Sequence, residues 1–351
     1  MILIGYFIQF IYICFLQILN EKKYRNIPLI IGIIFSLLLL IFNKGSLVGT
    51  DYEMYKKIFD FLSIQDKFPK FYIKNSGWGL MVYFYVIGKF FQDFKYAVLF
   101  LIFFHNFVIY KFLNKYSYKN IYYFSYLTYF CFFYISNTFN PMKQIIAICI
   151  FSLGMRYIIE KNFLKYILTI IIATLFHTLS LVLLPMYQLC RNKIKIKVIL
   201  FIFFMCLVIV IGLRNNIMLI GKYFSNNIRY YQYFLGVFNN VKFNLLNFFE
   251  VYIPLIFLFF FDYKYSLRKK NIKNKIFINF YYIYSFLYLI TIVDKMMGAR
   301  FVLFLSLVFS VIYPYIFYLL FKYLKIEKLY YIFYPLWMLV FLYFRHIRIL
   351  I

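Results

Sequence analysis

Acidic side chains are scarce: 11 Asp and Glu stand against 39 Lys and Arg in 351 residues. So few carboxylates in so much hydrocarbon do not build a carboxylate-rich metal cage. They suit a site that holds something large, greasy and anionic. Histidine is as sparse, and His105, His177 and His346 are too scattered for a metal centre. Cys14, Cys131, Cys149, Cys190 and Cys206 lie inside or at the edge of apolar runs. Their spacing fits neither a disulfide framework nor a zinc site, so they read as small buried apolar residues. The phosphate-cradling GxxxxGK[ST], HExxH and Asp-x-Asp are all missing, which excludes the usual nucleotide-binding and metal-held nucleotide-sugar chemistries and leaves no cofactor expected. Nor is there a basic soluble domain that could face nucleic acid.

What is present is hydrocarbon. Hydrophobic residues make up 65% of the chain and charged ones 14%. A helix crossing ~30 Å of bilayer needs about 20 apolar residues. The chain supplies such runs repeatedly: Met1–Leu19, Ile27–Phe42, Val98–Leu113, Ile121–Ile135, Ile145–Ile159, Phe163–Tyr187, Val198–Leu213, Val251–Phe261, Ile276–Ile292, Phe301–Phe321 and Leu329–Phe344, with Trp78–Phe91 a shorter one. The expected fold is all-α, a polytopic integral membrane protein with about 10–12 transmembrane helices in one membrane domain over residues 1–351. The first run lacks a basic leader and a small-residue cleavage site, and reads as a retained span. The net charge of +28 favours anionic membrane lipids or a phosphorylated lipid substrate, although an AT-rich coding sequence would also encourage Lys and aromatics.

Residues 43–77 and 214–250 are too long and polar for simple turns. They mix charge with aromatics in stretches such as Met54–Phe61 and Tyr230–Phe238, and read as outward-facing segments with short interfacial helices. Lys and Arg in short loops mark the cytoplasmic side. With simple spans throughout, Lys22–Arg25, Arg191–Lys197, Lys264–Lys275 and Lys322–Lys328 agree, whereas Lys111–Lys119 and Arg156–Lys165 face the wrong way. Both return to the cytoplasm if Trp78–Phe91 and Phe163–Tyr187 each enter and leave by the same face.

Four clusters could carry chemistry. In Gly49-Thr50-Asp51-Tyr52, Asp51 either caps a helix beginning near Tyr52 or offers a carboxylate as base or sugar ligand. In Asn140-Pro141-Met142-Lys143-Gln144, Lys143 either snorkels to the interface or binds phosphate near free helix N–H groups. In Phe176-His177-Thr178-Leu179-Ser180, His177 sits in mid-run, either as a hydrogen-bonded neutral imidazole or as a functional group. In Asp294-Lys295-Met296-Met297-Gly298-Ala299-Arg300, Arg300 opens an apolar helix as an interfacial anchor or a bidentate phosphate ligand. Arg214 and Arg229, on the second long segment, are further cationic candidates.

The order of these clusters resembles the EpsG family of exopolysaccharide-assembly membrane proteins, related to Wzy-type polymerases. Gly49-Thr50-Asp51-Tyr52 with Tyr55 and Phe59, Lys143-Gln144-x-x-Ala147, Ala173-x-x-Phe176-His177-x-x-Ser180 and Arg300-Phe301 carry the resemblance, over about residues 1–320. The chain departs from the family pattern twice. Lys143 stands where an Arg precedes the Gln, and Asn75-Ser76-Gly77-Trp78 lacks the Glu before the Gly-aromatic pair. The resemblance implies a multi-pass protein of the bacterial cytoplasmic (inner) membrane with a GT-C-like glycosyltransferase architecture. It implies a polymerase acting on a polyprenyl-pyrophosphate-linked oligosaccharide, with a chain-length regulator and a flippase as partners. The catalytic residues would be Asp51, His177 and Arg300. Thr50, Tyr52, Lys143, Gln144, Ser180, Arg214 and Arg229 would bind substrate, without metal or nucleotide. An O-antigen ligase is the nearest enzymatic rival; a flippase or exporter and a non-catalytic assembly subunit are the others.

Overall fold

A computed structural model of the chain describes residues 2–19, 22–42, 51–69, 77–134, 142–192, 245–293 and 295–343, with 195, 197–199, 201–202, 204–205 and 208. Among the described residues every regular element is helical. In chain order these are α1 (Ile2–Leu19), α2 (Ile27–Phe42), α3 (Tyr52–Ser63), α4 (Trp78–Phe90), α5 (Phe94–Tyr116), α6 (Tyr122–Tyr129), α7 (Met142–Ile159), α8 (Phe163–Phe176), α9 (Met186–Arg191), α10 (Leu245–Tyr265), α11 (Leu267–Lys270), α12 (Ile272–Val293), α13 (Lys295–Leu303), α14 (Ser306–Tyr323) and α15 (Glu327–Leu342). Among them α5, α7 and α14 are long and apolar enough to cross a membrane. Large aliphatic side chains such as Leu164, Leu168 and Ile256 stand exposed on helix surfaces, which water penalises and lipid does not. Cys131, Cys149 and Cys190 are buried, as the sequence reading of small apolar residues expects, and Cys206 lies outside the described residues. The chain forms two compact units, Met1–Tyr187 with Ser310–Ile351, and Gln188–Phe309.

In the first unit the basic loops gather at one end. The Arg25 guanidinium donates to Asn114 Oδ1 at 3.1 Å, and the Tyr110 hydroxyl to Asn26 Oδ1 at 2.5 Å, so α2 begins where α5 ends. Arg156 and Glu160, at the end of α7, act electrostatically on Tyr116, the last residue of α5. Lys165, in the first turn of α8, stands over the Tyr157 ring. Lys22–Arg25, Lys111–Lys119 and Arg156–Lys165 therefore share an end. Helix α2 leaves it and α5 returns to it, so α3 and α4 between them enter and leave by the opposite end. At 13 residues α4 rises only about 20 Å, too little for a bilayer crossing.

The run Phe163–Tyr187 also turns back. Its first part, α8, is 14 residues long and reaches Phe176. After His177 a 3-10 helix, Thr178–Leu183, returns along α8. The Tyr166 hydroxyl donates to the Leu183 carbonyl at 2.5 Å, and the Phe163 and Tyr187 ring centroids lie 5.0 Å apart. The two ends of the run are thus neighbours.

Helix α3 has the amphipathic spacing expected of Met54–Phe61. It buries Tyr52, Tyr55, Phe59 and Leu62 and exposes Lys56, Lys57 and Asp60. Phe59, with no exposed surface, packs edge-on against Phe84 at 5.8 Å and near Phe94 at 5.5 Å. Burying such a ring contributes about 1.5–3 kcal/mol. These contacts fix α3 against the middle of α4 and the start of α5.

The second unit turns on a buried ion pair. Ser266 adopts a left-handed φ of 47°, reversing the chain after α10. That turn brings Arg268 Nε 2.6 Å from Asp262 Oδ2, and Arg268 also donates to Asn279 Oδ1 at 3.2 Å. The Asn279 amide in turn donates to the carbonyls of Cys190 at 2.9 Å and Asn192 at 3.0 Å. One polar link thereby joins α9, α10 and α12.

Candidate functional site

Three helices of the first unit begin at the end opposite the basic loops: α3 after Asp51, α4 after Gly77, and α7 at Met142. Their starts carry free N–H groups and partial positive charge. Gly77 brings two of them together. Its φ of +80° is left-handed, and a side chain there would begin 2.6 Å from the Phe176 carbonyl oxygen and 2.9 Å from Lys143 Cδ. No residue but glycine fits both the backbone conformation and the space. A side chain at Gly79, the second residue of α4, would begin 3.0 Å from the Leu175 carbonyl oxygen. The end of α8 is thus pressed on the start of α4, with the Lys143 stem against the same glycine.

Asp51 stands at the head of α3 but does not cap it. Its φ of −93° and ψ of −7° are helical rather than extended, and its carboxylate makes no cap hydrogen bond. It acts electrostatically on Lys143 instead. Lys143 itself is half-buried, and Gln144, the next residue of α7, is buried. Both sit in the first turn, where sequence placed them.

His177 is where the long apolar run breaks. Its backbone is extended, with φ −147° and ψ 115°. Its N–H still closes the last turn of α8 on the Ala173 carbonyl at 3.0 Å, while its carbonyl accepts from the Ser180 N–H at 3.0 Å. The residue is a joint between two helices of different pitch, with a half-buried side chain. The Ser180 side chain is fully buried, and its hydroxyl has no hydrogen-bond partner among the described residues. Asp51, Lys143, Gln144, His177 and Ser180 thus belong to one region of one unit.

Tyr52 is a packing residue, its ring 5.1 Å from that of Phe94, and burial followed by the Asp93 carboxylate pushes its hydroxyl pKa up. Arg300 does not open a helix: the chain restarts at Lys295, and Arg300 lies exposed in the last turn of α13, where free carbonyls favour a cation. It belongs to the second unit. Thr50, Arg214, Arg229 and the stretch Tyr230–Phe238 lie outside the described residues. Gly77 was visible in sequence as the glycine of the Gly77-Trp78 pair; its place against Lys143 needed the fold.

One cation, one carboxylate, an imidazole at a helix break and the starts of three helices can hold an anion and move a proton beside it. The class defined by these features is an all-helical membrane protein with a polar locus at one end of a helical unit. The chain belongs to the EpsG family, whose sequence model matches residues 28–349, nearly the whole length. No curated protein and no solved structure matches it.

Proposed function

We propose that this EpsG-family protein is a polysaccharide polymerase, a membrane glycosyltransferase that transfers a polyprenyl-pyrophosphate-linked glycan onto a lipid-linked oligosaccharide repeat unit. The observation that carries the reading is the contact of Gly77 with Lys143 and with Phe176, the residue before His177, and the electrostatic link of Lys143 to Asp51. Basic loops mark the cytoplasmic side, so this locus faces outward across the cytoplasmic membrane. About 10–12 crossings and a GT-C-like architecture complete the proposal.

The acceptor sugar hydroxyl attacks the anomeric carbon of the donor glycan. The new carbon–oxygen bond forms as the bond to the pyrophosphate oxygen breaks, and the lipid pyrophosphate leaves with the electron pair. His177 takes the hydroxyl proton. Lys143, with the N–H groups opening α4 and α7, stabilises the charge gathering on the leaving oxygen. Asp51 balances Lys143 before the substrate arrives and orients a sugar hydroxyl. Gln144 and Ser180 are further hydrogen-bonding groups for the glycan. Arg300, with Thr50, Arg214 and Arg229, enters the proposal from sequence alone, as do a flippase and a chain-length regulator as partners. The leaving group is already activated, so neither nucleotide nor metal is invoked.

The lipid-linked glycans of cells lacking the protein test this reading. Single repeat units on the carrier are expected. Intact long chains stranded on the carrier would instead indicate a ligase, and single units confined to the cytoplasmic leaflet an exporter.

A further inference from the structure

In the second unit, the turn from α10 into α12 concentrates charge of one sign. It carries Lys264, Arg268, Lys269, Lys270, Lys273 and Lys275, and the one acidic residue between Val251 and Val293 is Asp262. That carboxylate is already engaged: it accepts from the Arg268 backbone N–H at 3.1 Å and from Arg268 Nε at 2.6 Å. The Lys269 N–H donates to the Ser266 carbonyl at 2.8 Å, and Leu267 is wholly buried. The turn is thus held in one shape, with its only carboxylate spent on Arg268.

What the turn presents outward is one ring shared by two ammoniums. Lys264 Nζ stands 5.8 Å and Lys270 Nζ 6.0 Å from the centroid of Tyr265. All three residues are exposed. The ring face attracts each ammonium but adds no net negative charge, so the two cations still repel each other. An anion that reaches both removes that repulsion, and the exposed setting leaves it room.

The surrounding rings set the depth at which such an anion binds. Lys264 Nζ also lies 5.6 Å from the ring centroid of Phe260, which is 42% exposed and belongs to the apolar run Val251–Phe261. Tyr263, next to Lys264 in sequence, is 82% exposed. An exposed Phe in that run faces acyl chains, and exposed Tyr suits the headgroup level just beyond them. The ammonium between these levels stands at the depth of lipid phosphates. An acidic soluble protein or a nucleic acid would reach it only by covering a lipid-facing ring, which an anionic lipid covers with its own chains. Basic loops mark the cytoplasmic side, where the leaflet is anionic.

We propose that Lys264, Tyr265 and Lys270 form a binding site for an anionic phospholipid of the cytoplasmic leaflet. Its phosphate is held by the two ammoniums, and its acyl chains lie along the Phe260 side of α10. Lys269, exposed in the same turn, adds to the positive field. Asp262 and Arg268 hold the turn that brings both lysines to one ring. The proposal does not depend on the polymerase reading.

The test places the purified full-length protein in phosphatidylcholine nanodiscs with a trace of photoactivatable phosphatidylglycerol or of the matching phosphatidylcholine. Cross-links within residues 258–275 are measured by mass spectrometry. Phosphatidylglycerol is expected to label that segment well above phosphatidylcholine. Lys264→Gln and Lys270→Gln, both changes of exposed side chains, are each expected to lower its yield about fivefold, the effect of one ammonium near an anionic surface. Lys115→Gln combined with Lys161→Gln removes equal charge from the first unit and is expected to leave the yield unchanged. Excess inorganic phosphate at constant ionic strength is expected not to compete. Equal labelling by the two lipids would overturn the site, as would undiminished labelling in the Lys264→Gln, Lys270→Gln double variant. An equal fall in the Lys115→Gln, Lys161→Gln protein would mean a diffuse positive surface, and competition by inorganic phosphate a site for free anions; either contradicts the proposal.

Discussion

Phe163 and Tyr187 stand side by side, their rings 5.0 Å apart, although they begin and end one long apolar run. The run is therefore a hairpin whose tip carries His177, and its basic approach, Arg156–Lys165, lies with Lys111–Lys119 and Lys22–Arg25. Impermeant thiol labelling from outside intact cells follows directly. Single cysteines at Lys115 and Lys161 are expected to stay unlabelled, and one at Lys67, beyond α3, to be labelled. Outside access at both Lys115 and Lys161 would contradict the hairpin topology.

Lys143 is the cation of the polar locus, half-buried beside Gly77 and in the field of Asp51. Lys143→Ala is expected to lower the rate of glycan transfer by about 10²–10³-fold, the cost of removing one preorganised donor to a developing oxyanion. Lys143→Arg keeps the charge and is expected to retain most of it. Both are read in a single-turnover transfer assay at matched expression.

Gly77 holds the positive φ that lets α4 begin against the end of α8. Gly77→Ala places a methyl group against the Phe176 carbonyl and the Lys143 stem, and adds about 1–2 kcal/mol of left-handed backbone strain. Transfer activity is expected to fall well below that of Gly79→Ala, where the nearest atom stands farther off, at 3.0 Å. A side-by-side rate measurement checks the order.

The second unit depends on the buried Asp262–Arg268 pair. Asp262→Ala leaves a buried guanidinium without its carboxylate and is expected to destabilise the unit by about 3–5 kcal/mol. Trypsin digestion of the purified variant, with cleavage mapped to residues 262–275, reads the loss. An unchanged cleavage pattern would count against the pair's structural role.

Much of this architecture was legible in the sequence because lipid imposes a simple code. The run Ile27–Phe42 and helix α2 coincide, and the conflict of basic loops with simple spans already pointed at Trp78–Phe91 and Phe163–Tyr187. Lys143 and Gln144 were legible as a helix opening from Pro141 before them. Other features depended on backbone geometry that composition does not encode. Asp51 fits the pattern of an N-cap, yet its helical φ and ψ turn the carboxylate away from that role. Arg300 follows a Gly-Ala pair that resembles a helix start, yet the helix had already begun at Lys295.

The central claim is that the locus of Asp51, Lys143 and His177 transfers glycan between lipid carriers. Its most direct measurement incubates the purified protein with a lipid-linked repeat unit, without added nucleotide or metal, and separates the products by length. The account predicts a ladder of longer glycans with release of polyprenyl pyrophosphate, and none from His177→Ala protein folded as the wild type. A substrate left chemically unchanged by the wild type, or a full ladder from His177→Ala, would contradict it.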